Sequence, residues 1–247
     1  CNNTICSGET FATIGGGGSN RVDGDYSVVA GGVLNCNDNS CAFIGGGFSN
    51  YNAGLGGVIG GGYNHEISLN ESYSAILGGY CNKIDSDCSF IGGGNYNCVC
   101  SNQSFIVGGL SNLINATGAG RNVLSGGYNS GISGNGGYHT IAGGTVQCIN
   151  SSGNKNTIGG GGNHIISCNI ENSTIAGGAG NEICKTSGTD YGSTIGGGAI
   201  NCLVGSPSYS TIAGGVYNCS TAASTFIGGG STNVVSSPAG GILGGCS

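Results

Sequence analysis

The side chains that could do chemistry in this 247-residue sequence are few and widely spaced. Cysteine is the most abundant of them, with fourteen copies and no Cys-x-x-Cys pair, and only Cys98 and Cys100 come near the spacing of a zinc knuckle. An even cysteine count without knuckles favours a disulfide framework outside the cell. The alternative is a reduced intracellular protein that uses cysteine as a small apolar residue. We predict disulfides and no metal site.

The three histidines do not form a constellation. His65 and His164 occupy the same position of a repeat described below, several repeats apart, so they would not share a metal. We predict that both replace the asparagine that usually stands there. His139 lies outside that position, and we predict that it is exposed.

The carboxylates are equally dispersed. Two pairs, Asp23 with Asp25 and Asp85 with Asp87, fall in the turns "VDGDYS" and "IDSDCS". No further carboxylate follows at calcium-ligand spacing, so Asx-turn capping is the better interpretation. The glycine-rich segments do not open a helix beside a lysine, which a phosphate-binding loop requires. We therefore predict no catalytic residue, no cofactor and no enzymatic activity.

Composition argues against two further classes, nucleic-acid-binding and membrane-inserted proteins. Only 6% of the residues are Asp, Glu, Lys or Arg, against about 25% in an ordinary soluble domain, and the net charge is −6. The five basic residues are scattered along the chain, so nothing could neutralise a phosphate backbone, and we predict no nucleic-acid binding. No apolar run of about 18 residues exists, which argues against membrane insertion. A start at Cys1 without any methionine suggests a processed or partial chain.

The elements that position these residues are copies of one short repeat. Each copy carries an aliphatic residue, the anchor, two positions before a Gly-Gly pair; other positions are counted from it, so that the pair is +2 and +3. Fifteen anchors occur, 15 to 20 residues apart, at Ile14, Val29, Ile44, Ile59, Ile76, Ile91, Ile106, Leu124, Ile141, Ile158, Ile175, Ile195, Ile212, Ile227 and Ile242. Position +6 is usually Asn, and position +8 is usually aliphatic.

This periodicity predicts an all-β solenoid. A unit of 15 to 20 residues is too short to bury its own apolar side, whereas stacked copies bury a continuous core. Motifs such as "STIAGG" combine β-branched and small residues, which favour strands. We predict a strand, a Gly-Gly corner, a short strand and a variable turn in each coil. Residues 1–247 then form a single repeat array, with no helix longer than one turn.

The residue types at several further positions of the repeat have physical explanations. Asn at +6 is expected to form an amide ladder and to tolerate a left-handed backbone. The Gly-Gly pair supplies either a tight corner within one chain or room for close contact with another chain. The position before the anchor points opposite to it and carries apolar residues, among them Phe43, Phe90, Phe105 and Phe226. A monomer would expose this stripe, so we predict self-association.

The segments "SNYNAGLGGVIGGGYN", "SAILGGYCNKI" and "STIAGGVYNCS" resemble the Gly-Gly-Gly-x-x-Asn repeats of trimeric fibre proteins. They are similar to the heads of trimeric autotransporter adhesins and to fibre repeats of phages and large viruses. The resemblance covers all fifteen repeats. It implies a β-roll of short coils, three chains side by side and a rigid surface spike without catalytic residues. The fourteen cysteines depart from that pattern.

Covalent modification is the remaining site prediction. Cys202 and Cys219 hold the same +7 register in successive coils, so their Cα atoms should lie about 4.8 Å apart, within the disulfide window. We predict that they are bonded. Sequons in the variable turns predict glycosylation at Asn70, Asn102, Asn115, Asn150 and Asn172. Asn218 also begins a sequon, but its +6 position predicts a bare side chain.

The sequence therefore predicts a structural fibre on a virion or cell surface, assembled as a homotrimer, with an attachment role toward a host receptor or glycan. One alternative is a repeat adhesin that binds glycans or a partner protein through its variable turns. A second is an ice-binding array, suggested by five consecutive threonines in the column before the anchor. That column also contains phenylalanines, which would interrupt a flat surface.

Overall fold

The computed structural model describes residues 2–118, 120–186 and 188–246. Over these residues the chain is all-β and contains no helix, which confirms the predicted β-solenoid of short parallel coils, about fourteen turns in all. The chain divides into two compact units, residues 1–114 and 115–247. Both units repeat the same coil. A single uninterrupted array stays a prediction.

Strands of two residues dominate the first unit. They are β1 (Thr4–Ile5), β2 (Thr13–Ile14), β3 (Arg21–Val22), β4 (Val28–Val29), β5 (Cys36–Asn37), β6 (Phe43–Ile44), β7 (Tyr51–Asn52), β8 (Val58–Ile59), β9 (Glu66–Ile67), β10 (Ala75–Ile76), β11 (Lys83–Ile84), β12 (Phe90–Ile91), β13 (Cys98–Val99) and β14 (Phe105–Ile106). Strand β15 (Leu113–Ala116) begins at the end of this unit.

The second unit contains longer strands and one insertion. Its strands are β16 (Val123–Leu124), β17 (Gly131–Gly134), β18 (Thr140–Ile141), β19 (Cys148–Ser151), β20 (Thr157–Ile158), β21 (Ile165–Cys168), β22 (Ile170–Glu171), β23 (Thr174–Ile175), β24 (Glu182–Lys185), β25 (Asp190–Tyr191), β26 (Thr194–Ile195), β27 (Cys202–Gly205), β28 (Thr211–Ile212), β29 (Cys219–Ser220), β30 (Phe226–Ile227), β31 (Val234–Val235) and β32 (Gly241–Ile242). The longer coils provide the extra pair β22 and β25.

Each coil contributes to three parallel ladders. One ladder is the anchor sheet, in which the anchor is the second residue of its strand; β8, β10 and β12 are consecutive members. The second sheet holds positions +7 and +8, as in β9, β11 and β13. A third ladder consists of single-residue bridges at +4, such as Tyr63 with Tyr80. The sequence did not predict it, because one bridging residue leaves no alternating pattern.

The core is the stack of anchors facing the +8 residues. Anchors such as Ile59 and Ile158 and +8 residues such as Ile67 and Ile166 are completely buried. Full burial of an aliphatic side chain of this size stabilises the fold by about 1.5–3 kcal/mol. Repetition of this pair in coil after coil therefore supplies the stability that a single coil lacks.

The +6 asparagines form a buried polar ladder. The Oδ1 atom of Asn35 accepts a hydrogen bond from the backbone N–H of Asn50 at 3.0 Å. The Nδ2 atom of Asn35 donates to Gly31 of its own coil and to Gly47 of the next coil. The rungs therefore join side chains mainly to backbone rather than amide to amide. The left-handed residue is the one before the asparagine, as Leu34 shows with φ 61°, so that part of the prediction was wrong.

A second buried ladder runs two positions before the anchor, where Ser and Asn predominate. Asn122 Oδ1 accepts a bond from the N–H of His139 at 2.9 Å, and His139 Nδ1 accepts one from Asn156 at 3.3 Å. His139 is completely buried. The prediction that it is exposed was wrong, because this position faces the coil interior and its side chains bond the backbone of the next coil.

The two glycines of the pair have different environments. At +3, Gly198 has φ +81°, and an added Cβ would lie 2.0 Å from the carbonyl oxygen of Gly215 in the next coil. At +2, a Cβ on Gly197 or on Gly214 would meet nothing within 4 Å. Close stacking of the coils therefore requires the second glycine and gives no reason for the first.

Candidate functional site

The column before the anchor lies on the outer surface. In the first unit Phe43, Val58, Ala75, Phe90 and Phe105 follow one another in parallel register. Phe43 and Phe105 are 39% and 40% exposed. Alternation along the strand sends the anchor inward and this column outward, so the first unit presents an apolar row on one face.

A second apolar row follows the bridge ladder of the same unit. The rings of Phe48 and Tyr63 stack with centroids 5.3 Å apart, those of Tyr63 and Tyr80 at 4.8 Å, and Tyr80 meets Tyr96 edge-on at 5.3 Å. All four rings are exposed. Phe48, Tyr63 and Tyr80 hold the same +4 column of successive coils, which parallel register places side by side so that the rings stack. Tyr96 holds position +5, next to the bridge residue Asn95. Single aromatics in separate repeats gave no sign of a continuous row.

The +2 glycines separate these two rows along the coil. In the first unit Gly16 and Gly31 have open space where a Cβ would stand, and in the second unit Gly177, Gly197 and Gly214 do as well. None of these five has a φ in the left-handed region. At these five positions neither backbone conformation nor packing within the chain excludes a side chain, although every repeat has glycine there. Six other +2 glycines have φ between 152° and 159°, a conformation that itself favours glycine; they are Gly46, Gly61, Gly126, Gly143, Gly160 and Gly229.

The second unit carries a different outer row. Thr140, Thr157, Thr174, Thr194 and Thr211 pair in consecutive parallel register and are half-buried. The neighbouring +1 column on the same side holds only Ala or Gly in these coils. The result is a regular row of hydroxyl and methyl groups beside a row of small residues.

Cys202 and Cys219 form a disulfide in the structure. Strands β27 and β29 pair these two residues directly, with their Cα atoms 4.7 Å apart. The distance agrees with the usual window of about 4.4–6.8 Å. The bond connects successive coils of the second sheet.

A second thiol pair was not anticipated. The Sγ atoms of Cys168 and Cys184 lie 3.3 Å apart. Cys168 ends β21, and Cys184 lies within the paired strand β24. Cys168 has a left-handed backbone with φ 74°. Counted from their anchors, the two residues hold positions +10 and +9, so equal register in successive coils does not predict their contact. The left-handed residue turns the first thiol toward the second.

A mixed cluster of sulfur and oxygen ligands lies on the outer side of the second sheet. The ligand atoms of Asp85, Cys98 and Cys100 all fall within 4.8 Å of one another. Lys83 Nζ contacts Asp85 Oδ2 at 3.2 Å and Glu66 Oε1 at 3.1 Å. A hydrogen bond between the two thiols raises the pKa of Cys98 and lowers that of Cys100.

The second aspartate of each predicted turn pair joins two coils. Asp25 accepts hydrogen bonds from the backbone N–H and the hydroxyl of Thr10, both at 2.6 Å, and these bonds lower the pKa of Asp25. Asp87 accepts one from the N–H of Ser72 at 2.6 Å. Both partners lie fifteen residues earlier, so the prediction that these aspartates cap their own turns was wrong.

The histidines take structural places in the buried ladders. His65 Nδ1 accepts a bond from the N–H of Asn82, and His164 Nδ1 accepts one from the N–H of Asn181, both at 3.1 Å. Both therefore do replace an asparagine, as predicted. Burial lowers the pKa of all three histidines, that of His139 to about 4.

The predicted glycosylation sites are accessible. Asn70, Asn102, Asn115, Asn150 and Asn172 are all exposed. Asn218 is completely buried and its Nδ2 donates to Gly214 and Gly230, which leaves no room for a glycan.

Neither a pocket nor a helix able to cross a bilayer is present within the ranges that the structure describes. No protein-family model matches the sequence, and no curated protein matches it. The outer rows and the cysteine sites are therefore the features on which a function can be argued.

Proposed function

We propose that this chain is a rigid, non-enzymatic fibre segment that acts outside the cell or on a virion, assembled as a homotrimer and contributing to attachment. The observation that carries the proposal is the +2 glycine column. At Gly177, Gly197 and Gly214 the Cβ position is open and φ lies outside the left-handed region. Close approach of another chain remains as the physical reason for glycine at those positions.

The exposed apolar rows support the same assembly. Phe43 and Phe105 on one side of the glycine column, and Tyr63 and Tyr80 on the other, would bury their exposed surface against neighbouring chains. Closed symmetric packing removes such surface from water for every copy at once. The number three follows from the resemblance to trimeric repeat fibres.

Sedimentation of the native chain tests the assembly. We expect a mass near three times 23.9 kDa at micromolar concentration. A triple variant with Ala at Gly177, Gly197 and Gly214 should keep the β-solenoid circular-dichroism spectrum and shift the mass toward the monomer. A mass of 23.9 kDa for the unmodified chain would refute self-association, and a dimer mass would refute the trimer.

The Cys202–Cys219 disulfide and the five exposed sequon asparagines support a location outside the reducing cytosol. Expression through a eukaryotic secretory pathway, followed by glycopeptide mapping, tests this part. We expect glycans on at least some of Asn70, Asn102, Asn115, Asn150 and Asn172. Asn218 serves as the internal control and should stay bare. Secretion with all five exposed asparagines bare would count against the glycoprotein proposal.

The threonine row favours a second candidate function, ice binding by the second unit. Its five register-paired threonines beside Ala and Gly form a regular array. Thermal hysteresis of the chain tests this directly. Activity that Thr174→Tyr abolishes would establish ice binding, and an unmodified chain without hysteresis would exclude it. A glycan array on the same sample separates a passive shaft, which binds nothing, from an adhesin.

A further inference from the structure

The Asp85, Cys98 and Cys100 cluster is built by two neighbouring strands. Strand β11 pairs with β13 so that Lys83 lies opposite Cys98 and Ile84 opposite Val99. Asp85 therefore follows in register with Cys100. Cys98 begins β13 and Cys100 directly follows that strand, and residues two apart along an extended backbone project to the same face. All three ligand residues are half-buried on the outer side of the second sheet.

The distances between the ligand atoms fit a small tetrahedral metal. The two Sγ atoms are 3.4 Å apart, and Cys100 Sγ lies 4.0 Å from Asp85 Oδ2. A Zn²⁺ ion with Zn–S near 2.3 Å and Zn–O near 2.0 Å requires separations of about 3.8 Å between sulfurs and about 3.5 Å between sulfur and oxygen. These two pairs need to move by only about 0.4–0.5 Å. The third pair, Cys98 Sγ with an Asp85 oxygen, lies within 4.8 Å and has to close to about 3.5 Å.

The surroundings orient the carboxylate and balance charge. Ser68 donates a hydrogen bond to Asp85 Oδ1, which turns Oδ2 toward Cys100. Lys83 bridges Asp85 and Glu66 at 3.2 and 3.1 Å. With both thiols ionised, two carboxylates and two thiolates face a single ammonium group, so the cluster is strongly anionic and suits a divalent cation.

A disulfide between Cys98 and Cys100 fits this geometry less well. Two residues along an extended strand place their Cα atoms about 6.6 Å apart, near the upper limit of the disulfide window of about 6.8 Å. The bonded pair Cys202 and Cys219 has its Cα atoms at 4.7 Å. The adjacent carboxylate has no role in a disulfide, whereas it completes a ligand set.

We propose that Asp85 Oδ2, Cys98 Sγ and Cys100 Sγ bind one Zn²⁺ ion, with water as the fourth ligand. The two thiols lose their protons to solvent as the two Zn–S bonds form, so no oxidant or reductant takes part. The ion joins two successive coils, as the disulfide does in the second unit. Lys83 moves from Asp85 toward Glu66 when the ion binds.

Zinc titration against a chromophoric chelator, without reductant so that Cys202–Cys219 stays intact, tests the proposal. We expect one Zn²⁺ per chain and a higher Tm in its presence. Cys100→Ser should weaken the affinity by more than about 100-fold, and Ser68→Ala by about 10–100-fold. Cys148→Ser is the matched control, because Cys148 has the same +7 register and Asn150 instead of a second thiol; it should leave the affinity unchanged.

Cobalt spectroscopy of the unmodified chain provides a readout that does not depend on a variant folding. Co²⁺ in this site should show sulfur-to-cobalt charge-transfer absorption and the visible bands of a tetrahedral ion, both displaced by Zn²⁺. The absence of these bands overturns the proposal. So does an equal loss of Zn²⁺ affinity in Cys148→Ser, or an intact mass and peptide map that show Cys98 and Cys100 linked as a disulfide.

Discussion

The Gly-Gly corner yields a sharp prediction, because the same substitution should destabilise the chain at the second glycine and leave its stability nearly unchanged at the first. In Gly198→Ala the new Cβ would lie 2.0 Å from the oxygen of Gly215 and 2.8 Å from Asn201 Nδ2. The Gly215 carbonyl accepts bonds from the N–H of Ala199 and from Asn201 Nδ2, both at 2.9 Å. It would have to shift by about 1 Å to restore a normal contact distance, which disrupts both bonds.

The magnitude follows from two costs. A left-handed backbone at alanine costs about 1–2 kcal/mol, and loss of hydrogen bonding at a buried carbonyl costs about 1–3 kcal/mol. Gly198→Ala should therefore lower the free energy of unfolding by about 2–5 kcal/mol, which corresponds to a Tm decrease of about 4–20 °C for a chain of this length. Gly197→Ala meets open space and should change the monomer's stability by less than about 1 kcal/mol.

Thermal melts followed by circular dichroism over a protein dilution series measure both effects. Gly198→Ala should lower Tm equally at every concentration, because the damage lies within one chain. Gly197→Ala should match the unmodified chain when dilute and differ only where chains associate. If both substitutions lowered Tm equally in the dilute sample, the inference that only the second glycine is needed for coil stacking would be refuted. An unchanged Tm in Gly198→Ala would refute it as well.

Three further predictions concern buried or paired side chains. Burial lowers the pKa of His139 to about 4, so the unfolded chain binds a proton near pH 6.5 and the folded chain does not. The free energy of unfolding should therefore fall by about 3 kcal/mol as the pH drops from about 6.5 to about 4. In urea melts at each pH, His139→Asn should reduce this pH dependence. Cys168 and Cys184, with Sγ atoms 3.3 Å apart, should appear as a linked peptide after exposure to glutathione disulfide, and two separately alkylated thiols would contradict this. Lys185 Nζ lies 3.9 Å from the completely buried Asp190, so Lys185→Met should destabilise the chain by about 3–5 kcal/mol, and adding Asp190→Asn should restore much of the loss in denaturant titrations.

Much of the fold could be predicted from the sequence, because a solenoid repeats one local solution. The anchors at intervals of 15 to 20 residues identified the buried strands, and the alternation around Phe43 and Ile44 identified inner and outer faces. Equal register in successive repeats also placed Cys202 beside Cys219. Each of these inferences needs only that coils stack in parallel, so that the same position in neighbouring repeats lies at one strand spacing.

The tertiary structure alone decided what depends on three-dimensional contacts. His139 is buried because its position bonds the next coil, and Cys168 meets Cys184 because a left-handed residue redirects one thiol. The two glycines of each pair look equivalent in the sequence, yet only the second lies against the next coil's carbonyl. Asp85 joins Cys98 and Cys100 because parallel pairing brings residues from two coils to one point. Periodicity specifies which residues share a column, whereas backbone conformation and the distance between coils determine which atoms meet.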